Sequence, residues 1–246
     1  MNRICLCIVF FLTSFCATGQ EYQGLTGLIH VPSAETDSVG TFRGGFSYLD
    51  KNFLPTLLRK KDKSSFGYVI GITPFRWMEI SYGAVMLYMH KNGDSKQEMG
   101  YFNEDRRVNA KVTPLYEGKW WPAIALGMED VGRWENIKTG VGANNYFQNI
   151  YAVASKHFDA KGWELGAHLA YRYYTRNNNS DRRGVAGGVT VRPAFYRPLR
   201  AVVEWDGLGV NAGVDVLLWR HLFMQAVLVH GSGFMGAVSY HYTIPH

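Results

Sequence analysis

The chain has 246 residues, a formal net charge of +6, 15% aromatic side chains and 27 glycines, with a mean hydropathy of −0.15. That is too polar for a bundle of membrane helices, and beyond the amino terminus no segment reaches the roughly 18 to 20 apolar residues a spanning helix needs. The positive charge is spread along the chain without a basic face interleaved with aromatics, so no nucleic-acid partner is expected.

Residues 1–19 read as a secretory signal: a basic start at Arg3, an apolar run from Ile4 through Val9, Phe10 and Phe11, and a small-residue exit at Ala17-Thr18-Gly19. Cleavage after Gly19 leaves one sizeable domain. All three cysteines, Cys5, Cys7 and Cys16, fall in the removed part, which excludes disulfides, thiolate metal sites and cysteine nucleophiles from the rest. Phe15 stands before Cys16, where a lipidated cysteine requires a small residue, so lipidation is not expected.

Residues 20–40 form an amino-terminal segment leading into a barrel over 41–246. From Thr41 onward, segments of about 8 to 12 residues alternate large apolar with small or polar side chains, the period of strands with two unlike faces. The spacing predicts strands near 41–49, 65–73, 77–88, 107–115, 122–129, 148–158, 162–174, 184–193, 199–206, 209–217, 222–230 and 233–244. In the seventh, Trp163, Leu165, Ala167, Leu169, Tyr171 and Tyr173 share one face, and Glu164, Gly166, His168, Ala170 and Arg172 the other. An even number of strands, about twelve, with large residues outward and small or polar ones inward, predicts an all-β, antiparallel transmembrane β-barrel.

The links between strands separate by length. Pro74-Phe75-Arg76, Gly118-Lys119-Trp120, Asp159-Ala160-Lys161 and Trp219-Arg220-His221 are tight, whereas the alternate links around 50–64, 89–106, 130–147 and 175–183 are long and polar. Outer-membrane barrels pair short periplasmic turns with longer external loops, which puts both ends of the barrel on the periplasmic side. Trp120, Trp121, Tyr196 and Trp219 gather at the tight turns, where amphipathic rings suit a membrane interface.

Two stretches carry a resemblance. Gly24-Leu25-Thr26-Gly27-Leu28-Ile29 is followed by Pro32-Ser33-Ala34 and Gly40-Thr41. Further on, Pro122-Ala123-Ile124-Ala125-Leu126-Gly127 with Asp130 and Gly132 precedes Tyr151-Ala152-Val153-Ala154-Ser155-Lys156-His157-Phe158. With Glu204-Trp205-Asp206-Gly207, Asn211 and Gly213, the pattern resembles the YjbH family of outer-membrane proteins linked to exopolysaccharide production and group 4 capsule. Asn109 stands where the family's Asp-x-Lys pair with Lys111 has its acid, and the chain corresponds to the first barrel of larger members. The resemblance implies an outer-membrane barrel that supports exopolysaccharide or capsule export or surface organisation. The partners it implies are outer-membrane lipid and lipopolysaccharide, polysaccharide and other export proteins.

Inward-facing candidates for a polar conduit or saccharide-binding surface are Arg43, Glu79, Lys111, Lys156, Glu164, His168, Arg172, Arg192, Glu204, Asp206 and Asp215. The plainer reading is that opposite charges pair across strands and fill a narrow barrel, because unpaired buried charge is costly. Arg59, Lys60, Lys61 and Lys63 lie in the first long loop, where they would meet lipopolysaccharide phosphates or simply water. His230 and Ser232 are the residue types of an envelope lipid hydrolase, but the glycines around Ser232 read as a tight turn. No His, Asp and Glu set has ligand spacing on one strand face, so no metal, cofactor or enzymatic chemistry is expected. The expected function is non-enzymatic, with a small outer-membrane pore as the alternative and a lipid hydrolase behind it.

Overall fold

Alternation of the predicted kind, sustained from Thr41 to Thr243, leaves each strand with an apolar face that cannot meet water and a polar face that cannot meet lipid, and closing the sheet on itself separates the two. A computed structural model, which describes residues 19–131, 145–175 and 177–245, has this architecture. The signal peptide expected over 1–19 lies outside the described residues except for Gly19, and so does most of the link at 130–147.

Twelve antiparallel strands form one closed barrel: β1 Thr41–Leu49, β2 Ser65–Phe75, β3 Met78–His90, β4 Met99–Leu115, β5 Ala123–Val131, β6 Asn149–Ala160, β7 Trp163–Tyr174, β8 Gly184–Arg192, β9 Leu199–Trp205, β10 Val210–Leu218, β11 Leu222–Val229 and β12 Gly233–Thr243. Each strand pairs with its sequence neighbours, and β1 closes the ring on β12 through Thr41↔Thr243 to Tyr48↔Gly236. The burial of β7 alternates residue by residue as predicted: Leu165, Leu169 and Tyr171 are exposed outward, while His168, Ala170 and Arg172 are buried. Among the described residues no helix is long and apolar enough to cross a membrane.

One boundary differs from expectation. The link expected over 89–106 is mostly strand, because β4 begins at Met99 and pairs with the end of β3 down to His90↔Met99. Residues 99–106 carry Gly100, Asn103, Glu104 and Asp105 without apolar alternation, so nothing in their pattern marks them as strand. The hairpin is held by backbone pairing and by ring contacts such as Tyr88 against Tyr101 at 5.3 Å.

The larger difference concerns residues 20–36. They do not simply lead into β1; they fill the lumen. The segment turns back on itself through the bridges Gln20↔Thr26 and Gly27↔Pro32, and Gln20 through Ala34 are all buried. Leu25, Leu28, Ile29 and Val31 are fully enclosed, each burial stabilising by about 1.5 to 3 kcal/mol. The wall makes room with inward glycines: a side chain at Gly188 would come within 2.6 Å of the Leu28 side chain, and one at Gly71 within 2.9 Å of the Gly24 carbonyl.

Candidate functional site

The inward charges of the wall converge on the backbone of this luminal segment. Glu204 on β9 accepts the successive N–H groups of Ile29, His30 and Val31 at 3.1, 2.9 and 3.1 Å, and the Asn211 amide at 2.9 Å. Three consecutive amides on one carboxylate satisfy donors that a segment without regular hydrogen bonding would otherwise bury unpaired. Glu79 on β3 does the same lower in the barrel, accepting the N–H groups of Thr26 and Asp37, both at 2.9 Å. It is flanked by two cations, Lys111 at 3.0 Å and Arg43 at 3.2 Å, and Arg43 also faces Asp37 at 3.5 Å.

The basic residues take the carbonyls. Lys111 donates to the carbonyls of Thr26, Ser33 and Glu35 at 2.9, 3.2 and 2.7 Å. Arg172 donates to the His30 carbonyl at 3.0 Å and to His30 Nδ1 at 2.8 Å, and reaches the Asp206 carbonyl as well. A ring nitrogen that accepts from a guanidinium carries no proton; burial first, then the neighbouring Arg182 and Arg172, hold His30 well below its ordinary pKa.

Toward the long-loop end, rings close over the segment. Tyr22 stacks on His30 with centroids 5.1 Å apart, and Phe53, from the first long loop, lies 5.3 Å from His30. Arg107 sits over both Tyr22 and Phe147 at 5.1 and 4.6 Å. Asp206, in the turn after β9, binds Arg182 at 2.7 Å and His230 at 3.2 Å. Burial alone would raise its pKa, but the His230 hydrogen bond and the Arg182 charge hold its carboxyl well below the ordinary range.

The predicted inward residues therefore divide. Arg43, Glu79, Lys111, Arg172 and Glu204 grip the luminal segment directly. His168 joins them through Ser155, whose hydroxyl is 2.8 Å from His168 Nδ1 and accepts the Ala34 N–H at 2.8 Å. Glu164 and Arg192 pair with each other at 3.1 Å near the tight turns, and Lys156 pairs with Glu117 at 2.9 Å. Asp215 pairs with Arg200 at 2.7 Å. Pairing between neighbouring strands is thus real but covers only part of the set.

Arg200 went unremarked in the sequence, although it shares the inward face of β9 with Glu204 and donates to the carbonyls of Gly27 and Leu28 at 3.0 and 3.3 Å. In the first long loop, Arg59 ends the short helix α1, Thr56–Arg59, and is taken by Asp181. Lys61 donates to the Tyr88 carbonyl at 3.2 Å, Lys63 lies 5.8 Å above the Tyr88 ring, and Lys60 is exposed. His230 and Ser232 fall in the turn between β11 and β12, with His230 and Gly231 at positive φ of 48° and 74°.

The sequence profile of the family YjbH, described as exopolysaccharide biosynthesis protein YbjH, matches residues 19–195, from the luminal segment through β8. No curated protein sequence matches the chain. Among solved structures, the chain is similar to the Salmonella typhi outer membrane phospholipase (OMPLA) dimer with bound calcium, at 10% identity and a TM-score of 0.33, over 81% of this chain and 88% of that one.

Proposed function

Because the chain belongs to the YjbH exopolysaccharide biosynthesis family, we propose that it is a plugged barrel of the bacterial outer membrane that supports export or surface organisation of an exopolysaccharide, without chemistry of its own. The observation that carries this reading is the capture of residues 20–36 by the inward charges. Arg43, Glu79, Lys111, Arg172 and Glu204, which would line a conduit or bind a sugar, are engaged by the luminal segment, and Glu164, Arg192, Lys156 and Asp215 by ion pairs. A lumen filled in this way acts as a scaffold, and its interactions with polymer or export proteins fall to the loops and rims.

Support for the membrane comes from the outer face. Phe46, Ile70, Leu169, Val185 and Phe234 are among the large side chains exposed around the strands, in a belt larger than the apolar patches water-soluble monomers tolerate. Exposed Trp77, Trp120, Trp121 and Trp219 mark the tight-turn rim, as aromatic girdles do at a membrane interface. That rim faces the periplasm in this reading.

Two measurements test the proposal. Deleting the gene is expected to reduce extracellular polysaccharide or its retention at the surface, and unchanged amounts and attachment would count against the role. Purified protein in planar bilayers is expected to be silent; steady, salt-dependent conductance steps would favour a small pore instead.

A further inference from the structure

Where the luminal segment returns toward β1, three residues from three separate elements converge: Glu35 on the segment, His157 on β6 and His168 on β7. One potential ligand atom from each lies within 4.8 Å of the others. His157 Nδ1 is 2.7 Å from a Glu117 carboxylate oxygen and its Nε2 is 3.4 Å from Glu35 Oε1, so the ring stands between two carboxylates. The gap to Glu35 is one that either a proton on Nε2 or a metal ion can bridge. The separation is long for an N–H···O bond, and it equals the distance of about 3.4 Å between ligands joined to one tetrahedral zinc by bonds of about 2.0 to 2.1 Å.

The wall is shaped for this convergence. Gly166 lies on the inward face beside the two imidazoles, where a Cβ would crowd the Thr190 hydroxyl and stand 2.8 Å from His168 Nε2 and 3.1 Å from His157 Cδ2; Thr190 Oγ1, 3.3 Å from His168 Nε2, is the polar neighbour an ion there would displace. The side chains of His157 and Glu35 remain 22% and 16% exposed, leaving a path for an ion and room for water as a fourth ligand.

We propose that Glu35, His157 and His168 bind one divalent transition-metal ion, zinc by the chemistry of the set, and that the ion staples the luminal segment to the barrel wall. Two imidazoles and one carboxylate suit zinc and disfavour calcium and magnesium, which take oxygen ligands. Glu117 is a positioning residue: by holding the proton on His157 Nδ1 it presents Nε2 to the ion.

The test uses residues 20–246 without a histidine tag, refolded in detergent, stripped with chelator and titrated with zinc chloride. The expected result is one zinc per chain at micromolar affinity or tighter. His157→Asn and His168→Asn should each weaken binding at least tenfold, and Glu117→Gln about tenfold, within the usual range for such partners. Zinc should raise the unfolding temperature of the parent chain and leave that of Glu35→Gln unmoved. No zinc binding by the folded parent, affinity unchanged in the double histidine variant, or a preference for calcium would each overturn the site. If a variant fails to fold, cobalt added to the parent chain decides: visible bands of a four-coordinate ion are expected, and the weak spectrum of the hydrated ion overturns the proposal.

Discussion

Glu204→Ala should free the luminal segment while leaving the barrel intact. The carboxylate removed accepts three backbone N–H groups at 2.9 to 3.1 Å, all from fully enclosed turns of the segment. An orphaned buried donor costs about 1 to 3 kcal/mol, and water entering the vacated space keeps the cost per donor toward the lower half of that range. Three donors then give roughly 3 to 6 kcal/mol, which raises the population of the displaced segment by about 10² to 10⁴-fold at 1.4 kcal/mol per decade. Because residues 20–246 contain no cysteine, Ala34→Cys places a single thiol at a position only 2% exposed, where it reports displacement through its maleimide labelling rate. Labelling of the Ala34→Cys, Glu204→Ala pair should accelerate by that factor, with the slower migration of boiled over unheated protein preserved. Rates within threefold of the single variant, on an intact barrel, would refute the idea that this carboxylate seats the segment. Glu204→Gln should fall between, since it keeps one acceptor oxygen and turns an NH2 group toward the same donors.

Two further outcomes follow from the same arrangement. Leu169→Arg, on an outward position 62% exposed, should destabilise the barrel by about 2 to 4 kcal/mol in a lipid bilayer, measured by urea unfolding in vesicles, and far less in detergent; equal loss in both would argue against lipid contact at that face. Because the folded protein holds His30 below its ordinary pKa, the released segment binds a proton that the seated one refuses, so seating is most stable above about pH 6.5 and weakens as the pH falls through that value. The Ala34→Cys labelling rate should therefore rise between pH 7.5 and pH 5.5, after correction for thiol ionisation with a small-peptide standard, and a His30→Gln background should flatten that rise.

How much of this was legible in the sequence depended on periodicity. The bounds of β7, predicted over 162–174 and found at Trp163–Tyr174, follow from twelve residues that alternate without a break. The start of β4 is not marked in the sequence because Gly100, Asn103, Glu104 and Asp105 break the alternation around Tyr101 and Phe102. Residues 20–36 were missed for a related reason: a segment that takes its hydrogen bonds from the wall has neither a period of two nor one of 3.6, and its leucines and isoleucine serve no strand. Arg200 was recoverable, since it sits four residues before Glu204 on an alternating strand. The trio Glu35, His157 and His168 was not, because its spacing in sequence means nothing until β6, β7 and the returning segment are laid side by side.

The hairpin shape of the luminal segment also bears on how the molecule can be put together. Its first residue contacts Ser239 and His241 near the end of β12, and its last leads into Thr41, which pairs with Thr243 at the same rim. Both arms thus hang from one mouth. A segment that crossed from rim to rim would have to be threaded through a finished ring or trapped while the seam between β1 and β12 was still open. A loop hung from one rim can be swallowed after the seam has closed, and withdrawn again, without any strand letting go of its neighbour.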